Sequence, residues 1–260
     1  MTNQLEDGLN TYLKELHLPT VRNMYPDFIK QAERESLGYS HFLFELIEQE
    51  CQTRRNNKIT RLLRESRLPL EKNLETFDLT RLPKKVVQQV RSLLDGGFLD
   101  RRENILVFGN PGSGKTHLLC SIAQEAVLQG RRIYFSTSAL LVQKLLLAKR
   151  DLQLEKQIKK LSKYDAILID DIGYVQQNRE EMEVLFTLLA ERYERGSVML
   201  SSNLPFSNWE QIFKDPMTTA AAIDRLVHHS VILELNIKSY RVEKAKSRKK
   251  GEENPGTDSD

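Results

Sequence analysis

Residues 109–116 read Gly-Asn-Pro-Gly-Ser-Gly-Lys-Thr and follow directly on the short apolar run Ile105–Phe108. The spacing Gly109-x-x-x-x-Gly114-Lys115-Thr116 is that of a phosphate-binding loop, a form that demands a strand before it and a helix after it. Glycines let the backbone bend so that successive N–H groups turn inward on an anion. Lys115 then reaches the β and γ phosphates, and the Thr116 hydroxyl is placed as a Mg²⁺ ligand. The helix that follows directs its positive dipole end at the same charge. Gly109, Asn110, Pro111, Gly112, Ser113, Gly114, Lys115 and Thr116 are therefore the expected cradle for ATP with Mg²⁺.

Such a loop needs an acid to complete the metal shell. The run Tyr164-Asp165-Ala166-Ile167-Leu168-Ile169-Asp170-Asp171 supplies it, an apolar strand ending in two carboxylates 55 residues beyond Lys115. Asp170 is the expected metal-side acid, and Asp171 the general base that orients or polarises an attacking water. The next apolar run, Val198-Met199-Leu200-Ser201-Ser202-Asn203, ends in polar residues where ligands bind in sheets of this kind. Asn203 there is a candidate for holding that water or the γ-phosphate.

Five apolar runs alternate with helical stretches from Arg101 onward: Ile105–Phe108, Ile133–Ser136, Ala166–Ile169, Val198–Ser201 and Val231–Leu235. The helical stretches are Thr116–Gln129, Ala139–Leu161, Glu180–Arg195 and Thr218–Leu226. This alternation predicts an α/β fold, a five-stranded parallel sheet with helices on both faces. Residues 1–70 read instead as a small all-α domain. Leu5, Leu9, Tyr12, Leu13 and Leu16 share one helix face, and a second amphipathic helix starts after Ser40 with Phe42, Leu43, Leu46 and Ile47 on its apolar side. Leu18-Pro19 and Tyr25-Pro26 are expected breaks between them. A linker at 71–85, the ATPase domain at 86–243 and a charged disordered tail at 244–260 complete the expected organisation.

Composition excludes some classes. No apolar run approaches the ~20 residues of a membrane span, and the first residues lack the basic-then-apolar order of a signal peptide. Cys51 and Cys120 have no CxxC partner, and the histidines, including the adjacent pair His228-His229, are not at metal spacing. A cytoplasmic protein with no membrane partner and no metal site of its own is expected. The net charge of +3 hides two clusters. From Arg54 to Lys72, seven basic residues face two acidic ones, and the same ratio recurs from Ser138 to Lys163. Clusters of this size are candidate footprints for a phosphate backbone.

The chain resembles an AAA+ ATPase, specifically the IstB branch of the DnaC/IstB group. The resemblance is carried by Gly173-Tyr174-Val175, Leu185-Phe186, Glu191-Arg192-Tyr193-Glu194-Arg195-Gly196-Ser197, Ser202-Asn203-Leu204-Pro205-Phe206, Trp209, Phe213, Ala222-Ile223-Asp224-Arg225-Leu226-Val227-His228-His229 and Ser239-Tyr240-Arg241. It implies an ATP-dependent helper of an insertion sequence that assembles as a homo-oligomer on double-stranded DNA and directs a cognate transposase. It also implies that Arg225 is the arginine finger, completing the ATP site of a neighbouring subunit. With 25 residues after Leu235 the C-terminal lid is expected to be reduced or absent, and Arg241 is a further nucleotide contact to test. In initiator-type AAA+ proteins the helix after the second strand faces DNA. By that likeness Lys144, Lys149, Arg150, Lys156, Lys159 and Lys160 are candidate DNA contacts, with Arg54, Arg55, Lys58 and Arg61 as a second set. The alternative reading is a replicative helicase loader of the DnaC/DnaI type. A small-molecule kinase would need a substrate lid and no basic helix.

Overall fold

The computed structural model describes residues 2–172, 179–210, 215–237 and 239–240. Gly173-Tyr174-Val175, Phe213, Arg241, the expected C-terminal lid and the tail at 244–260 lie outside the described residues. Contacts divide the chain into two compact units, Met1–Arg61 and Leu62–Asp260.

The first unit contains α1 (Thr2–Glu15), α2 (Pro19–Glu35) and α3 (Tyr39–Ser66), whose residues from Leu62 on belong to the larger unit. Its core is Leu13, Val21, Tyr25 and Leu46. Pro19 opens α2 at a position whose N–H would have no helical partner, so it starts this helix cleanly. Pro26 lies inside α2 and does not break it; burial of Val21 and Tyr25 on the same helix holds the turn together. The expected apolar face of α1 forms only in part, since Leu13 is buried while Leu5 and Leu16 are exposed. Ser40 lies within α3, whose first residue is Tyr39. Glu50, nearly inaccessible, accepts hydrogen bonds from the Thr20 and Val21 amides at the start of α2, at 2.8 and 3.1 Å. Burial works against its ionised form, but the bonds from Arg54 and these amides outweigh it and hold the carboxyl below the usual range.

The larger unit is built on five strands, β1 (Asn104–Gly109), β2 (Ile133–Thr137), β3 (Ala166–Ile172), β4 (Ser197–Ser202) and β5 (Ser230–Leu235). They pair in parallel in the order β2-β3-β4-β1-β5. A sheet with helices on both faces buries both sides of each strand, which is why the strands read as continuous apolar runs. Ile105 and Val107 pack on one face with α4 (Lys84–Leu93) and α6 (Lys115–Leu128). Leu106 packs on the other with α7 (Ser138–Arg150), α9 (Arg179–Arg192) and α10 (Pro216–Val227). A short α5 (Gly97–Asp100) precedes β1. The stretch expected as one helix from Ala139 to Leu161 is two, α7 and α8 (Leu154–Leu161). Asp151 ends α7, and Leu152 adopts the left-handed conformation at φ +55°. The segment 71–85 is packed structure as well: Leu82 joins Leu62, Leu68 and Val86 in the same core.

The Arg-Tyr-Glu-Arg-Gly-Ser run has a structural cause. Arg192, 2% exposed, donates to the carbonyls of Tyr164, Asp165 and Ser197 at 2.7–2.9 Å. It thereby ties the amino ends of β3 and β4 to α9. Burial pushes its guanidinium down to about 10, against the pull of Asp165, so it stays charged at neutral pH. A Cβ on Gly196 would lie 2.3 Å from that guanidinium, so any side chain there would push it off its carbonyls. Arg192→Ala strands three carbonyls in the interior and should destabilise the fold by roughly 2–4 kcal/mol. Urea unfolding measures this, and an unchanged midpoint would remove Arg192 from that role.

Candidate active site

The carboxyl ends of β1, β3 and β4 converge on one cleft. β1 ends at Gly109 and α6 begins at Lys115, leaving a five-residue loop between them. A Cβ on Gly109 would sit 2.5 Å from the Leu235 carbonyl oxygen at the end of β5, so the backbone there admits no side chain. Gly114 sits at φ +95° under the Phe77 ring, the left-handed conformation that glycine adopts without strain. Lys115 is 6% exposed, and its Nζ donates to the carbonyls of Gly109 (2.8 Å) and Asn110 (3.1 Å), which fixes the ammonium at the loop.

The acidic side is tied to the loop by one oxygen. Asp170 Oδ1 accepts from Thr116 Oγ1 at 2.8 Å and from Ser201 Oγ at 2.6 Å. Ser201 is fully buried and also accepts from the Asp171 amide at 2.8 Å. The pairing of β3 with β4 shifts between Ile169 and Ile172, and Asp171 stands at φ +57°. Successive side chains of a regular strand face opposite sides of the sheet. This bulge re-aims the pair, so that Asp170 stays with Thr116 while Asp171 lines the cleft. Asn203 lines the same cleft, and its Oδ1 is buried without a hydrogen-bond partner. In the sequence Ser201 is no more than the polar end of a strand. Its role is set by which strand lies beside β3, which sequence spacing does not reveal.

The cleft encloses about 340 Å³, within the usual range for small-molecule sites. Its second wall comes from the expected linker segment and from residues that follow β5. Phe77, Arg81, Ile237 and Tyr240 line it, with the Arg81 guanidinium 5.1 Å from the Tyr240 ring centre. The Tyr240 amide donates to the Gly112 carbonyl at 3.0 Å. His117 Nε2 donates to the Asn73 carbonyl at 2.9 Å and meets the Phe77 ring edge-on at 5.1 Å, holding this wall against α6. Phe77 and Arg81 lie in an aperiodic stretch that carries no motif, whereas Ile237 and Tyr240 follow β5.

The donor set fits a nucleotide with Mg²⁺. Thr116 Oγ1 and the Asp170 carboxylate are hard oxygen donors of the kind Mg²⁺ takes alongside phosphate oxygens. Buried polar atoms are nearly always hydrogen-bonded, yet Ser113 Oγ and Asn203 Oδ1 in this cleft are not. A polar ligand would complete both. Outside the cleft, the exposed Glu194, His228 and His229 place their ligand atoms within 4.8 Å of one another.

Arg225 lies elsewhere. Its Nη1 donates to the Ala221 carbonyl at 3.0 Å and its guanidinium covers the Phe186 ring at 4.8 Å. Asn104, the first residue of β1, donates to the Leu226 carbonyl next to it at 2.9 Å. Arg225 therefore sits at the amino end of β1, about 17 Å of strand from the loop at its carboxyl end. Among the candidate DNA contacts, Arg54 bonds Glu50 at 2.7 Å and the His17 carbonyl. Lys149 pairs with Glu183 at 2.8 Å, Lys159 with Glu155 at 2.6 Å, and Lys144 donates to Tyr134 Oη at 3.1 Å. Arg55, Lys58, Arg61, Arg150, Lys156 and Lys160 are exposed.

The sequence profile of the IstB-like ATP binding proteins matches residues 11–249. An insertion sequence ATP-binding protein of Sinorhizobium fredii is 42% identical over 246 residues, covering 94% of this chain and 83% of its own. The ATP-binding protein of insertion sequence IS5376 from Geobacillus stearothermophilus is 37% identical, covering 92% and 95%. Among solved structures, AMPPCP-bound DnaA from Aquifex aeolicus superposes with a TM-score of 0.57 at 18% identity, over 71% of this chain and 56% of that one. At that identity the likeness is one of fold. No helix among the described residues is long and apolar enough to cross a membrane.

Ser201→Ala removes the donor to Asp170 and the acceptor for the Asp171 amide while leaving the loop intact. Supporting groups of this kind tune metal affinity about 10–100-fold. The Mg²⁺ concentration for half-maximal ATP turnover should rise by that factor; an unchanged requirement would leave Ser201 a packing residue.

Proposed function

We infer the role of this chain from a fixed premise: it belongs to the IstB-like ATP binding protein family. Its core has the P-loop AAA+ fold, and it is an ATPase. We propose further that it is the helper ATPase of an insertion sequence. In this reading it assembles on double-stranded DNA as a homo-oligomer, completes its ATP sites between subunits, and directs a cognate transposase. The carrying observation is the position of Arg225, at the far end of β1 from the loop of its own chain. A cation there has no route to its own nucleotide, so any part it plays in hydrolysis is played on a neighbour's.

In the proposed mechanism the backbone amides of 110–114 and the Lys115 ammonium hold the β and γ phosphates. Thr116 and Asp170 would hold Mg²⁺, which would offset phosphate charge there. Asp171, re-aimed by the bulge, accepts the proton of the attacking water, and Asn203 orients that water. The Phe77, Arg81, Ile237 and Tyr240 wall takes the base. Arg225 from the adjacent subunit stabilises charge on the γ-phosphate, a contribution worth about a thousandfold or more in related enzymes. The insertion-sequence names of the relatives support the transposase as partner. The exposed basic residues of α3, α7 and α8 support the DNA.

Lys115→Ala should abolish ATP turnover, and Asp171→Asn should lose turnover while retaining ATP binding. Arg225→Ala should lose turnover with its own loop intact. Mixing the Arg225→Ala and Lys115→Ala proteins should restore part of the activity, because one supplies a complete loop and the other the cation. Normal turnover in Arg225→Ala, or no restoration on mixing, would contradict the shared site.

A further inference from the structure

A second cavity, of about 310 Å³, lies at the amino ends of β2 and β3, away from the nucleotide cleft. Its floor is aromatic: the rings of Tyr134 and Tyr164 stand 5.3 Å apart. Cations are laid on that floor, with Lys144 Nζ 5.0 Å and the Arg67 guanidinium 5.8 Å from the centre of the Tyr134 ring. Lys144 is further fixed by its bond to Tyr134 Oη. Arg64 and Lys160 add two more positive charges to the wall, and Glu65 is its one acid. Between them Gln157 presents an Nε2 that is buried and has no hydrogen-bond partner.

Almost everything in this cavity donates. Four cations and an unpartnered amide N–H call for a compact anion with several acceptor oxygens, which is the chemistry of a phosphate group. Contact with the Tyr134 ring holds Lys144 and Arg67 in place beforehand, so little side-chain entropy is lost when the anion arrives. The cavity also has a continuation. Gln157 and Lys160 line a wider groove along α8 as well, where Lys156 and Lys163 carry further positive charge and Lys159 is held by Glu155. A single small anion would need only the pocket. A chain of phosphates would use the pocket and the groove together.

We propose that this cavity is a phosphate-binding pocket, separate from the ATP site, that seats one backbone phosphate of duplex DNA whose neighbours run along α8. The proposal rests on the DNA-binding reading above and gives it a defined point of contact. It also brings Arg64 and Arg67 of the first basic cluster beside Lys144 and Lys160 of the second, and adds Gln157 to the footprint.

The test uses the full chain with a non-hydrolysable ATP analogue, a fluorescent duplex and a salt series. Gln157→Glu is nearly isosteric and puts a negative charge where the anion belongs. It should weaken duplex binding about tenfold, the worth of one charge-assisted hydrogen bond, and lower the slope of log K against log salt by about one. Affinity for the ATP analogue should not change. Lys160→Gln, at an exposed position, should lower the slope likewise and guards against misfolding of the first variant. Duplex binding by the wild type with both variants unaltered overturns the proposal. If the wild type binds no duplex, the DNA reading fails on its own, and titration with inorganic phosphate decides the pocket. Binding abolished by Gln157→Glu keeps a site for free phosphate, and no binding removes it.

Discussion

One carboxylate oxygen organises the nucleotide end of this molecule. Asp170 Oδ1 takes hydrogen bonds from Thr116 at the start of α6 and from Ser201 at the end of β4, and so binds three elements at one point. A carboxylate as buried as this is tolerable only when its oxygens are satisfied, so the three positions must be chosen together. The same serine accepts from the Asp171 amide and fixes the bulge that separates the two acids. The strained backbone at Asp171, the paired acids and the loop geometry are thus parts of one arrangement.

Much of this was legible in the order of residues. The phosphate loop and the twin acids are chain-local patterns, and the five apolar runs are strands whose ends lie within one residue of the expected ones, except that β3 continues three residues further, through the bulge. What escaped notice depends on neighbours in space. Ser201 matters because β4 lies between β3 and β1, an order no spacing reveals. Phe77 and Arg81 lie in a stretch with no period, which reads as a linker. The break at Asp151–Leu152 also went unread, since lysines and leucines continue on both sides of it and only a left-handed leucine marks the turn. The exposed leucines of α1 make a complementary point: helical spacing predicts a face, and whether that face is covered is a separate matter.

The sheet gives the molecule two distinct ends. At the carboxyl ends of the strands are the loop, the acids and the wall of Phe77, Arg81, Ile237 and Tyr240. At the amino ends are Arg192 with its carbonyls, Arg225 over Phe186, and the cation-lined cavity floored by Tyr134 and Tyr164. In the proposed assembly the first end receives the nucleotide and the second meets the neighbouring subunit and the DNA. Rigid strands about five residues long would connect them. ATP would then report occupancy to the places where the protein meets its partners, and serve as a switch for assembly more than as fuel for chemistry on a small substrate.

The central claim is that the site is completed by a second subunit. The most direct test is ATP turnover per chain as a function of protein concentration, with and without duplex DNA, alongside the size of the complex. The account predicts specific activity that rises steeply with concentration as the chain assembles, with duplex moving that rise to lower concentration. A specific activity independent of concentration, from chains that remain monomeric, would contradict it.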